Sequence, residues 1–371
     1  MDRRAFLRLS AGTLTAAVLG PRRLHAATVG GEALYASCVK LPNDSYAVAI
    51  MSESGAIQFL RPLPDRGHDV AFDPVSRRCV AFARRPGTFA VVVDLDGRTE
   101  PVVLSAAPGR HFYGHGVFTA DGSILYATEN DFEAAGGVVG IYDAKADFRR
   151  IGEFSTGGVG PHELVWLPDG RTLAVANGGL DTHPDFGRVA LNSAEMQPSL
   201  SLLEAESGRL LATETLDRDL AALSIRHLAV DAAGAVWFGC QYEGDPMDLP
   251  PLAGRLVPGR RAELFSLPDE LQAGARNYVG SVAASADGEL VAFSAPRGGI
   301  VFAFEARSAR FAGKVEFNDG CGIAPAPVRG PSLLATSGTG RIATVERSSG
   351  LAITPVGRDD LAFDNHLNLL A

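Results

Sequence analysis

A short pattern recurs along this chain: an apolar stretch, a tight turn built on Asp with Gly or Pro, and a second apolar stretch. The clearest copies place their turns at Asp73-Pro74, Asp121-Gly122, Asp169-Gly170, Asp231 to Gly234 and Asp287-Gly288. Weaker copies lie around Pro42-Asn43-Asp44 and Val328-Arg329-Gly330. Asp-Gly between two β-prone runs is a strong hairpin signal. The chain is therefore expected to be a series of hairpins.

The spacing of these turns restricts the architecture further. Asp73 and Asp121 are 48 residues apart, as are Asp121 and Asp169, and the later spacings of 62 and 56 indicate insertions. A period near 48 residues fits four short strands per propeller blade, and it disfavours a β-sandwich or two smaller β domains. No long helical periodicity is present. We predict an all-β fold, a single seven-bladed β-propeller of four-stranded blades over residues 27–371, closed by a strand from one terminus.

The N-terminus carries the pattern of an export signal. The pair Arg3-Arg4 is followed by Phe6-Leu7, an apolar run from Leu9 to Gly20, and a small-residue site ending at Ala26-Ala27. This order of parts is typical of a bacterial twin-arginine signal peptide, and the apolar run is too short to span a bilayer. We predict that residues 1–26 are removed and that the mature protein is periplasmic.

The charge of the chain restricts its partners. The formal net charge is −9, and removal of residues 1–26, with five arginines and one aspartate, makes it −13. An acidic surface repels phosphate backbones, and no second long apolar run is present. We therefore predict no nucleic-acid partner and no membrane insertion.

Four of the eight histidines occupy equivalent positions in successive repeats. His68, His115, His162 and His227 precede their Asp turns by five, six, seven and four residues. Because the innermost strand of a propeller blade runs beside the central channel and leads into this turn, we predict that the four converge at one channel mouth.

The residues around these histidines define a candidate metal site. Neutral imidazole is the commonest metal ligand and suits iron, copper or zinc, and Glu163 adds a carboxylate beside His162. Arg66, Arg110, Arg226 and Tyr278 are predicted to bind a cofactor or the anionic part of a chelate. Two other interpretations remain open: a structural plug of hydrogen-bonded histidines, and a site for an anionic organic ligand. Cys321, in the last blade, is a further candidate ligand.

Other features carry weaker predictions. The long insertion at residues 178–200, with Asp181, His183 and Asp185 alternating, is a candidate lid over the channel. His366 lies in a polar C-terminal tail and is not expected to take part. Cys79 and Cys240 lie in apolar strands and are expected to be buried hydrophobes. No catalytic motif for phosphate binding, dinucleotide binding or acyl transfer is present, so we assign no catalytic residue.

Several longer motifs carry a family resemblance. They are the twin-arginine start, Arg-His-Phe-Tyr-Gly-His-Gly (110–116), Gly-Pro-His-Glu (160–163), Ala-Asn-Gly-Gly (176–179), Thr-His-Pro (182–184), Ser-Ile-Arg-His-Leu-Ala (224–229) and Asn-Tyr-Val-Gly-Ser (277–281). With these the chain resembles an uncharacterised family of exported bacterial propellers, and more remotely the quinoprotein amine dehydrogenase heavy-subunit and lactonase propellers. Members of that family are often encoded beside imelysin-like, iron-regulated proteins and a di-haem-peroxidase-like protein. The resemblance thus implies these as partners and iron handling as the role, by association only.

Three functions follow, in order of preference. The first is a periplasmic accessory protein that binds a transition metal or metal chelate at the channel histidines for iron uptake or handling. The second is a non-enzymatic interaction scaffold with structural histidines. The third is a lactonase-like or oxidoreductase-like enzyme.

Overall fold

The structure is a computed structural model, which describes residues 27–29, 31–187, 189–327 and 332–371. The predicted signal peptide at 1–26 and the weak repeat at 328–330 lie outside the described residues.

Seven antiparallel sheets, each with four strand positions, follow one another in a ring, as the repeat predicts. Blade 2 consists of Gly67–Asp73, Arg78–Ala83, Phe89–Asp94 and Val102–Ser105. Blade 3 consists of Arg110–Phe118, Ile124–Asp131, Gly136–Asp143 and Arg149–Ser155. Blade 4 consists of Pro161–Trp166, Thr172–Asn177, Ser199–Glu204 and Leu210–Thr215.

The remaining blades repeat this order from the channel outwards. Blade 5 consists of Leu223–Val230, Val236–Tyr242, Ala253–Leu256 and Glu263–Phe265. Blade 6 consists of Ser281–Ala284, Leu290–Ala295, Ile300–Glu305 and Phe311–Glu316. Blade 7 consists of Gly320–Pro325, Ser332–Ser337, Arg341–Arg347 and Leu351–Arg358.

Blade 1 is built from both ends of the described chain and closes the ring. Its outer strands are Glu32–Lys40, Tyr46–Ser52 and Ile57–Leu63. The innermost position, beside Glu32–Lys40, is shared by Thr28–Val29, Ala362–Phe363 and Asn368–Leu369. The C-terminal segment therefore supplies most of the strand nearest the channel. The turn at residues 42–44 therefore joins the second and third strands of its blade. This corrects the repeat alignment, which treats it as equivalent to the turns at Asp73 and Asp121, where the first strand leads into the second.

The aspartate of the recurrent turn acts as a local cap. Asp169 accepts hydrogen bonds from the backbone N–H groups of Arg171 and Thr172. Asp231 accepts from two backbone N–H groups and from the indole Nε1 of Trp237, at 2.9 Å. Such side-chain-to-backbone bonds stabilise the reversal of the chain, which explains why this residue recurs where the first strand turns into the second.

The hydrophobic core lies between the blades, because the faces of neighbouring sheets pack together. One cluster joins blades 4, 5 and 6 around Trp237, and others join the remaining neighbours. Helix is scarce in the described chain: one α-helix, Asp269–Gly274, and the 3₁₀ helices Pro184–Phe186, Ser193–Glu195, Arg218–Leu220 and Pro296–Gly298. None of the described helices has the length and apolarity that crossing a bilayer requires.

Candidate metal centre

The innermost strands carry a β-bulge where the histidines lie. In blade 2 the pairing shifts after Gly67 and resumes at Val70, and in blade 4 it shifts after Pro161 and resumes at Leu164. Blades 3, 5 and 7 have a comparable shift on their first strand. A bulge interrupts the ladder and re-aims side chains. Residues near it can therefore point towards the propeller axis instead of alternating between the two faces of the blade.

The four predicted histidines meet in the channel, and a fifth joins them. The ring centroids of His68 and His115 are 4.9 Å apart, those of His115 and His162 are 4.8 Å apart, and those of His162 and His227 are 4.8 Å apart. His366 lies 4.6 Å from His68, 4.5 Å from His115 and 4.9 Å from His227. None of these five residues, the histidine cluster, is more than 6% exposed.

The place of His366 corrects the expectation that it belongs to a polar tail. It lies between the short strands Ala362–Phe363 and Asn368–Leu369, which occupy the innermost position of blade 1. It is thus the counterpart, in blade 1, of the histidines in blades 2 to 5. No Asp turn follows it in the sequence, because the next strand of its blade is at the other end of the chain.

Carboxylates from neighbouring blades contact three of the imidazoles at Nδ1. His115 Nδ1 lies 3.0 Å from Asp69 Oδ2, and His68 Nδ1 lies 3.4 Å from Asp364 Oδ1. His227 Nδ1 lies 3.4 Å from Glu163 Oε2. A metal-binding histidine commonly donates its second ring nitrogen to a carboxylate, which fixes its orientation. Asp69 and Asp364 therefore leave Nε2 of His115 and His68 available to the centre of the cluster, whereas Nε2 of His227 lies 3.5 Å from the side-chain nitrogen of Gln241.

Several imidazole nitrogens have no hydrogen-bond partner among the described residues. They are Nε2 of His68, His115 and His366, Nδ1 of His227, and both ring nitrogens of His162. Buried polar atoms are nearly always paired, and leaving one unpaired costs about 1–3 kcal/mol. A purely structural plug would be expected to use these nitrogens. Their arrangement fits a ligand that the histidines share.

The electrostatic surroundings keep most of the cluster neutral. Burial holds the pKa of His68, His162 and His227 well below the ordinary range, and it lowers that of His366 to about 3. Burial also opposes protonation of His115, but the carboxylates of Asp69 and Glu163 outweigh it and raise the pKa of this histidine. Neutral imidazole is the form that binds metals.

The pKa values of the three carboxyl groups at the site shift in opposite directions. Burial raises the pKa of Glu163 to about 8. Burial also disfavours the charged form of Asp69, but the nearby His115 more than compensates and lowers the pKa of this carboxyl. The pKa of Asp364 is lowered too, because His68 and two arginines outweigh its burial.

The donor atoms fit a transition metal in number and spacing. Two overlapping sets of four residues have ligand atoms within 4.8 Å of one another: His68, His115, His162 and His366, and His115, Glu163, His227 and His366. Two donors bonded at about 2.1 Å to one ion can be at most about 4.2 Å apart. Donor atoms at the limit of 4.8 Å would have to approach by about 0.6 Å to lie on opposite sides of an ion, and by about 1.4 Å to reach the roughly 3.4 Å spacing of tetrahedral ligands. These are the only such groups in the described parts of the chain.

Polar residues line a narrow cavity beside the cluster, and His68 and His162 form part of its wall. The rest of the wall consists of Arg84, Arg85, Arg226, Gln241, Tyr278 and Asn365. Of the residues predicted to bind a cofactor, Arg226 and Tyr278 are therefore present. Arg84 and Arg85 were not predicted; they follow the second strand of blade 2, which ends beside the start of the histidine-bearing strand. We call Arg84, Arg85 and Arg226 the arginine mouth.

The other two predicted arginines lie elsewhere. Arg66 is half exposed, forms an ion pair with Asp364, the carboxylate that contacts His68, and lines a different cavity. Arg110 forms ion pairs with Asp131 and Glu153 of its own blade, 2.9 and 2.7 Å away, and does not line the cavity. Four residues of strand lie between Arg110 and His115, a span of roughly 15 Å.

Gly114 is the position where the backbone comes closest to the histidine cluster. Its φ is +109°, and a Cβ placed on it would lie 2.5 Å from Cδ2 of His68. Only glycine combines this backbone conformation with such close approach. The bulge of blade 3 therefore needs glycine here to let His68 and His115 lie side by side.

The insertion that follows strand Thr172–Asn177 leaves blade 4 on the histidine side. Asn177 pairs with Pro161, directly before His162. The insertion then packs on blade 3, where the hydroxyl of Tyr113 donates to the carbonyl of Leu180 at 2.7 Å. His183 is the N-cap of the 3₁₀ helix Pro184–Phe186, where its Nδ1 accepts a hydrogen bond from the backbone N–H of Asp185. It belongs to no metal-compatible group in the described chain.

The cysteines are free thiols within the described chain. Cys79 and Cys240 are fully buried, as predicted for small hydrophobes. Burial raises the pKa of Cys321, and its Sγ donates to the carbonyl of Asp319 at 3.2 Å. It is absent from the metal-compatible groups, so the structure gives no support to a thiolate ligand.

The fold and the site together define a seven-bladed propeller with a buried histidine cluster in its channel. The sequence belongs to the family described as "Protein of unknown function (DUF1513)", which it matches over residues 61–370. That range includes the five histidines of the cluster.

Solved structures share the fold at low identity. A chain of hydrazine synthase from Kuenenia stuttgartiensis is similar with a TM-score of 0.60 and 13% identity, covering 84% of this chain and 90% of that one. The Cps50 (Swd1) β-propeller domain of Myceliophteria thermophila gives a TM-score of 0.56 and 14% identity, covering 86% and 95%. A comparison with curated proteins finds no match. At this level of identity the likeness concerns the fold alone.

Proposed function

We propose that this protein binds a transition-metal ion, alone or as a chelate, in the histidine cluster of its channel. The observation that carries the proposal is the convergence of five buried imidazoles with unpartnered nitrogens. The histidines would supply the ligands. Asp69 and Asp364 would hold His115 and His68 in orientation, and Glu163 could enter the coordination sphere. Bound metal would satisfy nitrogens that otherwise stay unpaired.

The role we propose is accessory to iron uptake or handling in the periplasm. Imidazole with carboxylate suits iron, and also copper and zinc, so the donor set is compatible with iron without selecting it. The family resemblance supports iron, export by the twin-arginine route, and an imelysin-like or di-haem-peroxidase-like partner.

The experiment compares metal content in matched variants. The protein is exported by its own signal, purified without chelators, and analysed for iron, copper and zinc by mass spectrometry. The wild type should contain about one ion per chain, because its ligands are preformed. The double variant His115→Ala/His162→Ala should contain less than about a tenth of that, with an unchanged β-rich circular dichroism spectrum.

The variant His183→Ala is the control, because this histidine lies outside the cluster. It should keep the wild-type metal content. Equal metal in the wild type and the double variant would exclude the cluster as the site. A double variant that unfolds, together with a metal-free wild type, would favour the structural plug.

A further inference from the structure

The three arginines of the arginine mouth are not all paired with carboxylates, so their positive charge is only partly balanced. Arg84 is paired with Asp364, 2.8 Å away, and Arg226 is paired with Glu243, 3.3 Å away. Arg85 has no carboxylate within 4 Å among the described residues, although it is only 7% exposed. A buried charge is normally paired, since removing it from water is costly.

The side chain of Arg85 is available to a ligand. Its Nη1 has no hydrogen-bond partner in the described chain, and its guanidinium lies over the face of Tyr113, 5.8 Å from the ring centroid. Burial and the nearby charge of Arg226 lower its pKa to about 10. Two buried guanidinium groups that repel each other at the wall of one cavity form a strong site for an anion.

We propose that the arginine mouth binds an oxoanion, the carboxylate or phosphate group of a chelator that enters the channel together with the metal. Arg85 and Arg226 would hold its oxygens, and Tyr278 and Gln241, in the same wall, offer further donors. The inference deepens the proposed function and rests on it for the metal. His68 and His162 line the same cavity as these arginines, so an anion here would lie next to an ion that the histidines bind.

A bound oxoanion would also explain why arginines lie next to a site for a metal cation. Three guanidinium groups near a bare divalent ion would repel it. An ion bound by an oxoanion carries less positive charge or a negative one, and the same arginines then attract it. The arginine mouth would thus select a metal chelate over the free aqueous ion.

The first test uses protein stripped of metal, so that anion binding is measured without the proposed metal site. Citrate and inorganic phosphate are added separately to wild type in chloride buffer, and binding is followed by calorimetry and by the shift in melting temperature. One of the two anions should bind and raise the melting temperature, and the preference identifies a carboxylate or a phosphate source. Absence of binding by both would overturn the proposal, whatever the result for metal.

Variants then locate the site. Arg85→Met keeps the length of the side chain without its charge; it should lower anion affinity at least tenfold and melt no lower than wild type in chloride. Arg226→Met should lower anion affinity to a similar extent. Arg171→Met, at a largely exposed position, is the control and should bind as wild type does. Unchanged affinity in both mouth variants would overturn the proposal.

A final comparison links the anion to the metal. Wild type should take up ferric ion supplied with citrate at least tenfold better than zinc supplied without an organic anion, and Arg85→Met should lose this preference. If His115→Ala/His162→Ala binds citrate normally but no metal, both proposals are supported. If metal uptake does not depend on these histidines, the proposed function fails while the anion site stands on its own measurement.

Discussion

Nδ1 of His115 lies 3.0 Å from Oδ2 of Asp69, so that a carboxylate of blade 2 orients an imidazole of blade 3. The second oxygen of Asp69 accepts from the amide of Asn368 in the C-terminal segment. The orientation of this ring is thus built from three separate parts of the chain. Glu163 of the preceding blade also lies near His227, 3.4 Å from its Nδ1, but without a hydrogen bond between them.

Replacing Asp69 with asparagine should weaken metal binding while leaving the ligands in place. Loss of a carboxylate behind a metal-binding histidine typically costs about 10–100-fold in affinity. Asp69→Asn should also lower the pKa of His115, because this carboxylate raises it. Calorimetry with zinc and NMR titration of the histidines provide the two readouts, and Asp96→Asn is a control at a surface position. An unchanged affinity would mean that Asp69 does not position the ligand.

Gly114 provides a test of the packing around the cluster. Gly114→Ala would place a methyl group 2.5 Å from Cδ2 of His68, at a φ of +109°. We expect it to lower the free energy of unfolding by about 1–3 kcal/mol and to displace His68, which weakens metal binding. The control is Gly136→Ala, since no atom lies within 4 Å of its added Cβ. Urea unfolding of the two variants checks the prediction, and equal losses of stability would contradict it.

The stability of the metal-free protein should depend on pH with a maximum near neutrality. His68, His162, His227 and His366 are neutral in the fold and have lowered pKa values. Below a pH of about 6.5 the unfolded chain takes up protons that the folded chain does not. Each such histidine therefore lowers the free energy of unfolding by at most about 1.4 kcal/mol per pH unit.

Above neutral pH, the fall in the free energy of unfolding is due to Glu163, whose pKa of about 8 in the fold lies above its value in the unfolded chain. A group with a raised pKa stabilises the fold at low pH, and this contribution is lost as the pH rises towards 8. Urea unfolding between pH 5 and pH 9 measures both branches. His162→Ala should flatten the acid branch, and Glu163→Gln should flatten the alkaline one. A curve that is flat from pH 7 to pH 5 would contradict the neutral burial of the histidines.

The C-terminal segment should contribute separately to the fold and to the site. Deleting residues 362–371 removes most of the innermost strand of blade 1 and leaves the inner edge of Glu32–Lys40 paired, among the described strands, with Thr28–Val29 alone. We expect this deletion to prevent cooperative folding. His366→Ala should keep the fold and lower metal affinity, because the rest of the strand remains. Thermal unfolding and metal content of both proteins check the prediction; a deletion variant that melts like wild type would contradict the closure.

The sequence was sufficient for the ring and for four of its five histidines. The Asp turn fixes where the first strand of each blade ends, so that His68, His115, His162 and His227 could be aligned by their distance from it. His366 could not be aligned, since its strand has no turn of this kind and pairs with a segment more than 300 residues away in sequence. The one available signal was the need for a terminal strand to close the ring.

The arginines were harder to predict because adjacency in sequence is a poor guide on a β-strand. Arg66 and Arg110 were chosen for their closeness to a histidine along the chain. Successive side chains of a strand point to opposite sides, and a bulge shifts this alternation locally. Arg84 and Arg85 reach the channel from the end of the second strand, a position that pairing places beside the histidine strand but that no local pattern marks.

The most direct measurement is the anomalous X-ray scattering of crystals of natively exported protein, collected above and below the absorption edge of the metal found by mass spectrometry. We predict one strong peak within about 2.0–2.2 Å of ring nitrogens from at least three residues of the histidine cluster. The peak should be absent from His115→Ala/His162→Ala crystals. A channel without an anomalous peak in metal-loaded wild type, or a peak away from the five histidines, would contradict the account.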